Sequence, residues 1–232
     1  MRELQEAIEM WQRVFFATLH DLRNPLYQIS AFSELIGGDP TEEERKEILE
    51  GISTSSERIK ALFEELTSWG EELVNGSKPE AIDLSTTISE VTQYLQDEAI
   101  RKGITVRVLF YNQELPFMFC KKVLSFAIRN IVANAIKFTD RGGMVDIYVT
   151  KPAHNGTRIS ILDSGIGIPR KRVKELFSPV KSEPDTEGKT GSGIGLTLVK
   201  FFIEKYGGSI SVQSTEGGGT AFFLDFPKGQ AL

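Results

Sequence analysis

The first 74 residues place the tightest constraint on the fold. Leu4, Ile8, Trp11, Phe15, Leu19, Leu22, Leu26, Ile29, Phe32 and Leu35 or Ile36 recur at spacings of three and four, which lays a single apolar stripe along one long helix. GGDP, Gly37 to Pro40, stops that helix, and Thr41 with Glu44 has the capping-box pattern of a second helix start. Ile48, Ile52, Ile59, Leu62, Leu66, Trp69 and Leu73 give the second helix its own stripe. Two helices cannot enclose a core between them, so the stripes predict a helical hairpin that pairs with a second copy as a four-helix bundle. A homodimer is the expected assembly.

NGSKPEA, Asn75 to Ala81, collects Gly, Ser and Pro and reads as a linker over residues 75–83. A different pattern begins after it. Ser85 to Lys102 reads as a helix ended by Gly103, Ile104 to Phe110 as a strand, and Phe117 to about Phe138 as a helix. MVDIYVT (Met144 to Thr150) and TRISILD (Thr157 to Asp163) alternate as strands around the turn HNG. A glycine-rich region leads into a helix from about Ile194 to Tyr206, and SISVQS and TAFFLDF close the chain as strands. The expected organisation is an all-α hairpin over 1–74 and an α+β domain over 84–232.

Composition removes several functions. The chain carries a net charge of -5 over 232 residues, which disfavours the basic surface that nucleic acid requires. The single Cys120 excludes an intramolecular disulfide. No apolar run approaches the roughly 20 residues of a membrane helix, and MRELQEAIEMWQR lacks the apolar stretch of a signal peptide. The expectation is a cytoplasmic chain with no membrane segment of its own, or the cytoplasmic part of a longer, membrane-anchored protein.

The α+β domain holds three sets of residues that could carry chemistry. DSGIGIP puts the Asp163 carboxylate at a strand end, followed by Gly165 and Gly167. GKTGSGIGLTLV puts Gly191, Gly193 and Gly195 at the mouth of a helix, where amides without helical partners cradle phosphate oxygens. In NIVANAIKFT, Asn130 and Asn134 share a helix face beside Lys137. An amide oxygen can ligate Mg²⁺, and a lysine can meet phosphate. Taken singly, the glycines read as turns and the asparagines as helix surface. In the hairpin, TLHDLRNPL sets His20, Asp21, Arg23 and Asn24 just before Pro25 on one helix.

The order HDLRNPL, NIVANAIKFT, DSGIGIP, LFSPV and GSGIGL resembles the H, N, first glycine, F and second glycine boxes of sensor histidine kinases, over nearly the whole chain. The resemblance implies a dimerisation and histidine phosphotransfer hairpin joined to an α+β sandwich ATP-binding domain of the gyrase, Hsp90, histidine kinase and MutL superfamily. It further implies that Asn134 ligates Mg²⁺ with Asn130 beside it, that Asp163 hydrogen-bonds the adenine amino group, and that Gly165 and Gly167 allow close approach. Gly191, Gly193 and Gly195 would border the phosphates of ATP, and Phe177 to Thr190 would form the lid. The chain departs from the family pattern at Phe126, where Gln or Glu is common, at Val180, where a second aromatic is common, and at Phe119 and Cys120, where an acidic residue is common.

The same resemblance gives the hairpin its chemistry. A neutral imidazole has a lone pair for the γ-phosphorus of ATP, and Asp21 beside His20 would fix the ring tautomer. Asn24 matches the family's phosphatase position, where it would orient water against the phospho-aspartate of a response-regulator receiver domain. Pro25 removes an amide and crowds the preceding turn, which makes the His20 segment adjustable. Two other readings stay open on the residues. One is a nucleotide-holding scaffold without turnover, and the other is a clamp ATPase of the same superfamily, which leaves HDLRNPL unexplained.

Overall fold

The structure is a computed structural model that describes residues 2–38, 40–76, 78–111, 117–151, 156–178 and 195–227. Within its first two helices, the side chains of residues 2–11, 13, 14, 17, 20, 21, 61, 64, 65, 68, 69 and 71–75 lie outside that description. The chain divides into two compact units, Met1–Gly76 and Ser77–Leu232.

The first unit is a hairpin of α1 (Arg2–Ile36) and α2 (Glu42–Asn75). Gly37 and Gly38 close α1 through amides to Glu34 and Leu35 carbonyls, each at 3.1 Å. The expected capping box is formed: Thr41 donates its N–H and its hydroxyl to the Glu44 carboxylate at 2.8 Å, and the Glu44 N–H returns to Thr41 Oγ1 at 3.3 Å. The helices approach closely where Gly51 lacks a side chain, because a Cβ there would meet the Phe32 ring at 2.5 Å. Ser55, buried between them, donates to Gln28 Oε1 at 3.2 Å. α1 runs through Pro25, which is buried. The apolar stripe is wider than one antiparallel neighbour can cover: Leu19, Leu26, Leu35 and Phe63 stay exposed in the single chain.

The second unit begins with β1 (Glu80–Ile82), inside the stretch read as a linker, followed by α3 (Leu84–Tyr94), α4 (Gln96–Lys102) and β2 (Thr105–Phe110). Then come β3 (Phe117–Phe119), α5 (Lys121–Phe138), β4 (Met144–Thr150), β5 (Thr157–Asp163), the short α6 (Arg170–Val173), α7 (Gly195–Lys205), β6 (Ser209–Ser214) and β7 (Thr220–Phe226). Among the described residues, the main sheet has the order β2-β4-β5-β7-β6, with β2 and β4 parallel and the other pairs antiparallel. Alternation sends Val145, Ile147, Val149, Ile159, Ile161, Phe222 and Leu224 to one buried face. Onto that sheet pack α5 and α7, through residues such as Ile128, Ile131, Val132, Leu198, Val199 and Phe202. Full burial of each large side chain contributes about 1.5–3 kcal/mol. This is the α+β sandwich that the resemblance implied.

Two boundaries differ from the sequence reading. The helix expected over Ser85 to Lys102 is split at Leu95, whose ψ of 1° opens one turn between α3 and α4. The Leu95 N–H still reaches the Val91 carbonyl at 3.3 Å, so the break is a local dihedral change that no glycine or proline announces. The helix expected from Phe117 begins instead at Lys121, capped by Cys120, whose Sγ accepts the Val123 N–H at 3.5 Å. Residues 117–119 are a strand because a distant partner claims them: β3 pairs antiparallel with β1. Phe117 and Phe119 then set their rings edge-on to Phe226, with centroids at 5.0 and 4.8 Å. His154 and Asn155 of the HNG turn lie outside the described residues.

Candidate nucleotide site

β5 delivers Asp163 to the end of the sheet, where the chain leaves the strand and the carboxylate is half-buried. Its Oδ1 accepts the N–H of Gly165 at 2.9 Å and the N–H of Thr220 at 3.1 Å. Among the described residues, no group donates to Oδ2. Burial pushes the Asp163 carboxyl above its ordinary value, and the two amides pull more weakly the other way. A half-buried carboxylate with one oxygen anchored and the other unclaimed is equipped to accept from a neutral donor such as an amino group.

The loop after Asp163 is held by backbone contacts that only glycine allows. A Cβ on Gly165 would run into the Phe138 carbonyl oxygen. Gly167 has φ of +67°, and a Cβ there would run into the Thr215 carbonyl. Hydrogen bonds fix the same loop at both ends. The Ile166 N–H donates to Phe138 O at 3.1 Å, and the Ile166 carbonyl accepts the Gly217 N–H at 2.8 Å. Ser214 Oγ accepts the Ile168 N–H at 2.8 Å, donates to the Gly219 carbonyl at 2.8 Å, and shares a hydrogen bond of 2.9 Å with Thr220 Oγ1. Ser214, Gly219 and Thr220 were not singled out from the sequence. The run GGGT before the last strand was the available signal.

On α5, Asn130 and Asn134 stand one turn apart, both half-buried. Asn130 Nδ2 donates to the Phe126 carbonyl at 3.2 Å, so its Oδ1 is the free end. That oxygen occupies the place where a Cβ on Gly195 would stand, which ties the N-terminus of α7 to Asn130. The Asn134 amide has no hydrogen-bond partner among the described residues. The Lys137 ammonium lies 5.1 Å from the Phe138 ring centroid. Phe177 at the head of the expected lid has the Lys200 ammonium 5.5 Å from its ring centroid. Gly191, Gly193 and the lid beyond Ser178 lie outside the described residues.

In the hairpin unit, His20, Asp21 and Asn24 share α1, and Asn24 is exposed. The side chains of His20 and Asp21 lie outside the described residues. Among the described residues, no cluster of three or more His, Cys, Asp or Glu could hold a metal by itself, and no helix is long and apolar enough to cross a membrane. The oxygen of the Asn134 amide, which has no hydrogen-bond partner among the described residues, suits Mg²⁺ carried in with nucleotide phosphates.

The second unit thus sets a strand-end carboxylate and a helix amide pair on one α+β sandwich, and the family match below puts it in the ATP-binding class. Residues 121–230 match the family described as Histidine kinase-, DNA gyrase B-, and HSP90-like ATPase, and residues 11–72 match the His Kinase A (phospho-acceptor) domain. Sporulation kinase A of Bacillus subtilis (strain 168) is 30% identical over 209 residues, covering 90% of this chain and 33% of that protein. Sensor histidine kinase Hik2 of Thermosynechococcus vestitus is 30% identical over 236 residues, covering 96% of this chain and 60% of its own. The histidine kinase ThkA, solved in complex with response regulator protein TrrA, shares the fold with a TM-score of 0.73 at 22% identity, over 98% of this chain and 65% of that one. This chain belongs to the histidine kinases and comprises their catalytic core. It spans between a third and three fifths of the two curated relatives' lengths.

Proposed function

We propose that this chain is the ATP-dependent protein-histidine kinase core of a two-component system, which autophosphorylates His20 and passes the phosphoryl group to an aspartate of a response-regulator receiver domain. The observation that carries this reading is the Asp163 carboxylate, anchored through Oδ1 by two backbone amides while Oδ2 is left to accept the adenine amino group. Gly165 and Gly167 let the base approach, and Asn130 with Gly195 sets the edge of the phosphate site. Gly191 and Gly193 are proposed to continue that edge, with Lys137 near it. Asn134 would hold Mg²⁺, which supplies charge neutralisation on the phosphates.

In the proposed step a ring nitrogen of His20 forms a bond to the γ-phosphorus as the bond to the bridging oxygen breaks, and ADP departs. Asp21 would accept the proton of the other ring nitrogen and keep the attacking one unprotonated. Asn24, exposed on α1, is proposed to orient water in a second activity, dephosphorylation of the regulator. The hairpin, residues 1–74, is proposed to act as a homodimer. Residues 75–83 would join it to the ATP-binding domain, 84–232, with β1 at the end of the joint paired onto β3.

Incubation with Mg²⁺ and γ-labelled ATP tests the reading. Acid-labile label on the wild type, absent from His20→Ala, is the expected result. No label despite intact nucleotide binding overturns the kinase assignment in favour of a scaffold or a clamp ATPase.

A further inference from the structure

Lys102 ends α4 and is buried, with 5% of its surface exposed. Its ammonium donates to three carbonyls at the end of α5: Ile136 at 2.9 Å, Lys137 at 2.8 Å and Thr139 at 3.0 Å. The last carbonyls of a helix have no donors within it, and a cation at that end is favoured by the helix dipole. An ammonium has three protons, so these three bonds use all of them. The one remaining carbonyl in the series, that of Phe138, is taken from the other side. It accepts the Ile166 N–H at 3.1 Å and stands where a Cβ on Gly165 would be.

One helix end is thus shared between a buried cation and the glycine loop that follows Asp163. The same helix carries Asn134 and Asn130 one and two turns back. A glycine cap could satisfy a helix end without burying a charge. The lysine does something a cap does not: from a single point it fixes the carbonyls on both sides of Phe138. We propose that Lys102 is a positioning residue for the nucleotide, setting the register between the α5 asparagines and the Asp163 loop. It touches no substrate and acts through Phe138, Gly165 and Asp163. The proposal rests on Asp163 being the acceptor for the adenine amino group.

The test is the preference for ADP over GDP, measured by calorimetry on the full chain with Mg²⁺, beside thermal melts without nucleotide. Guanine presents an oxygen where adenine presents an amino group, so a correctly placed carboxylate rejects it. Lys102→Met is expected to lower the preference about tenfold. Lys102→Gln, which keeps two donors for the carbonyls, is expected to lower it less while folding more readily. A role in folding alone reduces the number of binding sites and the melting temperature but leaves the ratio of the two affinities unchanged. An unchanged ratio in Lys102→Met overturns the proposal, and where that variant does not fold, an unchanged ratio in Lys102→Gln overturns it. Asp163→Asn separates the two readings. If it abolishes the preference while the Lys102 variants retain it, only the positioning role fails; if it keeps the preference, the adenine assignment fails and this proposal with it.

Discussion

The Thr220 N–H donates to the Asp163 carboxylate at 3.1 Å across 57 residues of sequence. The pairing is set by the sheet, because Asp163 and Thr220 face each other in the antiparallel register of β5 and β7. Backbone amides therefore orient the carboxylate, and no side chain has to be held in place to do so. The arrangement leaves one oxygen for a ligand and keeps the charge partly out of water, which is a liability for folding and an asset for recognition.

Asp163→Asn separates those two effects. An asparagine oxygen can still accept both amides, but the charge is gone. Nucleotide affinity is expected to fall about 10- to 100-fold, the cost of losing a hydrogen bond to a charged group, as measured by calorimetry with ADP. Stability moves the other way. Burial raises the folded-state pKa of Asp163 above 3.8, so this carboxyl contributes stability that is fully present below its unfolded value and lost as pH rises through its folded one. The nucleotide-free variant is expected to melt at or above the wild type near neutral pH, and to lose that advantage on acidification below the ordinary carboxylate range. A lower melting temperature at neutral pH would sink the argument.

The sequence displayed the parts of this site more clearly than the ties between them. β4 to β7 were legible to the residue; in β4 and β7 the alternation of period two is clean, and β5 and β6 are bounded by the HNG turn and by glycines. The family resemblance marked Gly165 and Gly167 as close approaches and put Gly195 at the phosphates, but the protein atoms that crowd all three were not legible. Phe138 O, Thr215 O and Asn130 Oδ1 come from other elements. Ser214 and Thr220 escaped for the same reason: each reads locally as an ordinary strand residue, and its role comes from a loop about 50 residues away. β3 was read as helix because FMF continues the apolar pattern of α5, and only its pairing with β1 makes it a strand.

Ser214→Ala should loosen the Asp163 loop. The Ile168 amide would lose its acceptor in a partly buried place, at a cost of about 1–3 kcal/mol. The expected signs are a lower melting temperature and faster amide hydrogen exchange over Ser164 to Ile168, with little change in the distant β2–β4 pair. Uniform acceleration across the whole domain would mean that Ser214 supports the fold generally and not this loop.

Two glycines with similar dihedrals distinguish strain from collision. Gly167 and Gly217 have φ of +67° and +75°, but a Cβ on Gly167 would enter the Thr215 carbonyl, whereas one on Gly217 meets nothing within 4 Å. Gly217→Ala carries only the left-handed backbone penalty, about 1–2 kcal/mol. Gly167→Ala adds a backbone collision and is expected to cost clearly more, to move the loop and to abolish nucleotide binding. Thermal melts and ADP titrations of the two variants check the ranking, and equal losses would contradict it.

The hairpin makes a prediction about assembly that is independent of the nucleotide. Leu26 lies on the apolar stripe of α1 and is 54% exposed in the single chain, while its neighbour Pro25 is buried. A leucine at that place on a stripe shared with Leu19 has a reason to exist if a second copy covers it. Leu26→Glu leaves the intramolecular α1–α2 contact intact and puts a charge where the partner helix would pack. Sedimentation is expected to show a dimer for the wild type and a monomer for the variant, with helix content by circular dichroism nearly unchanged. Burying a leucine is worth about 1.5–3 kcal/mol, and a dimer counts that term twice, so dissociation should be shifted by several tenfold steps in concentration. A variant that remains dimeric at micromolar concentration would place the interface on another face of the hairpin, and a wild type that is monomeric would remove the bundle altogether.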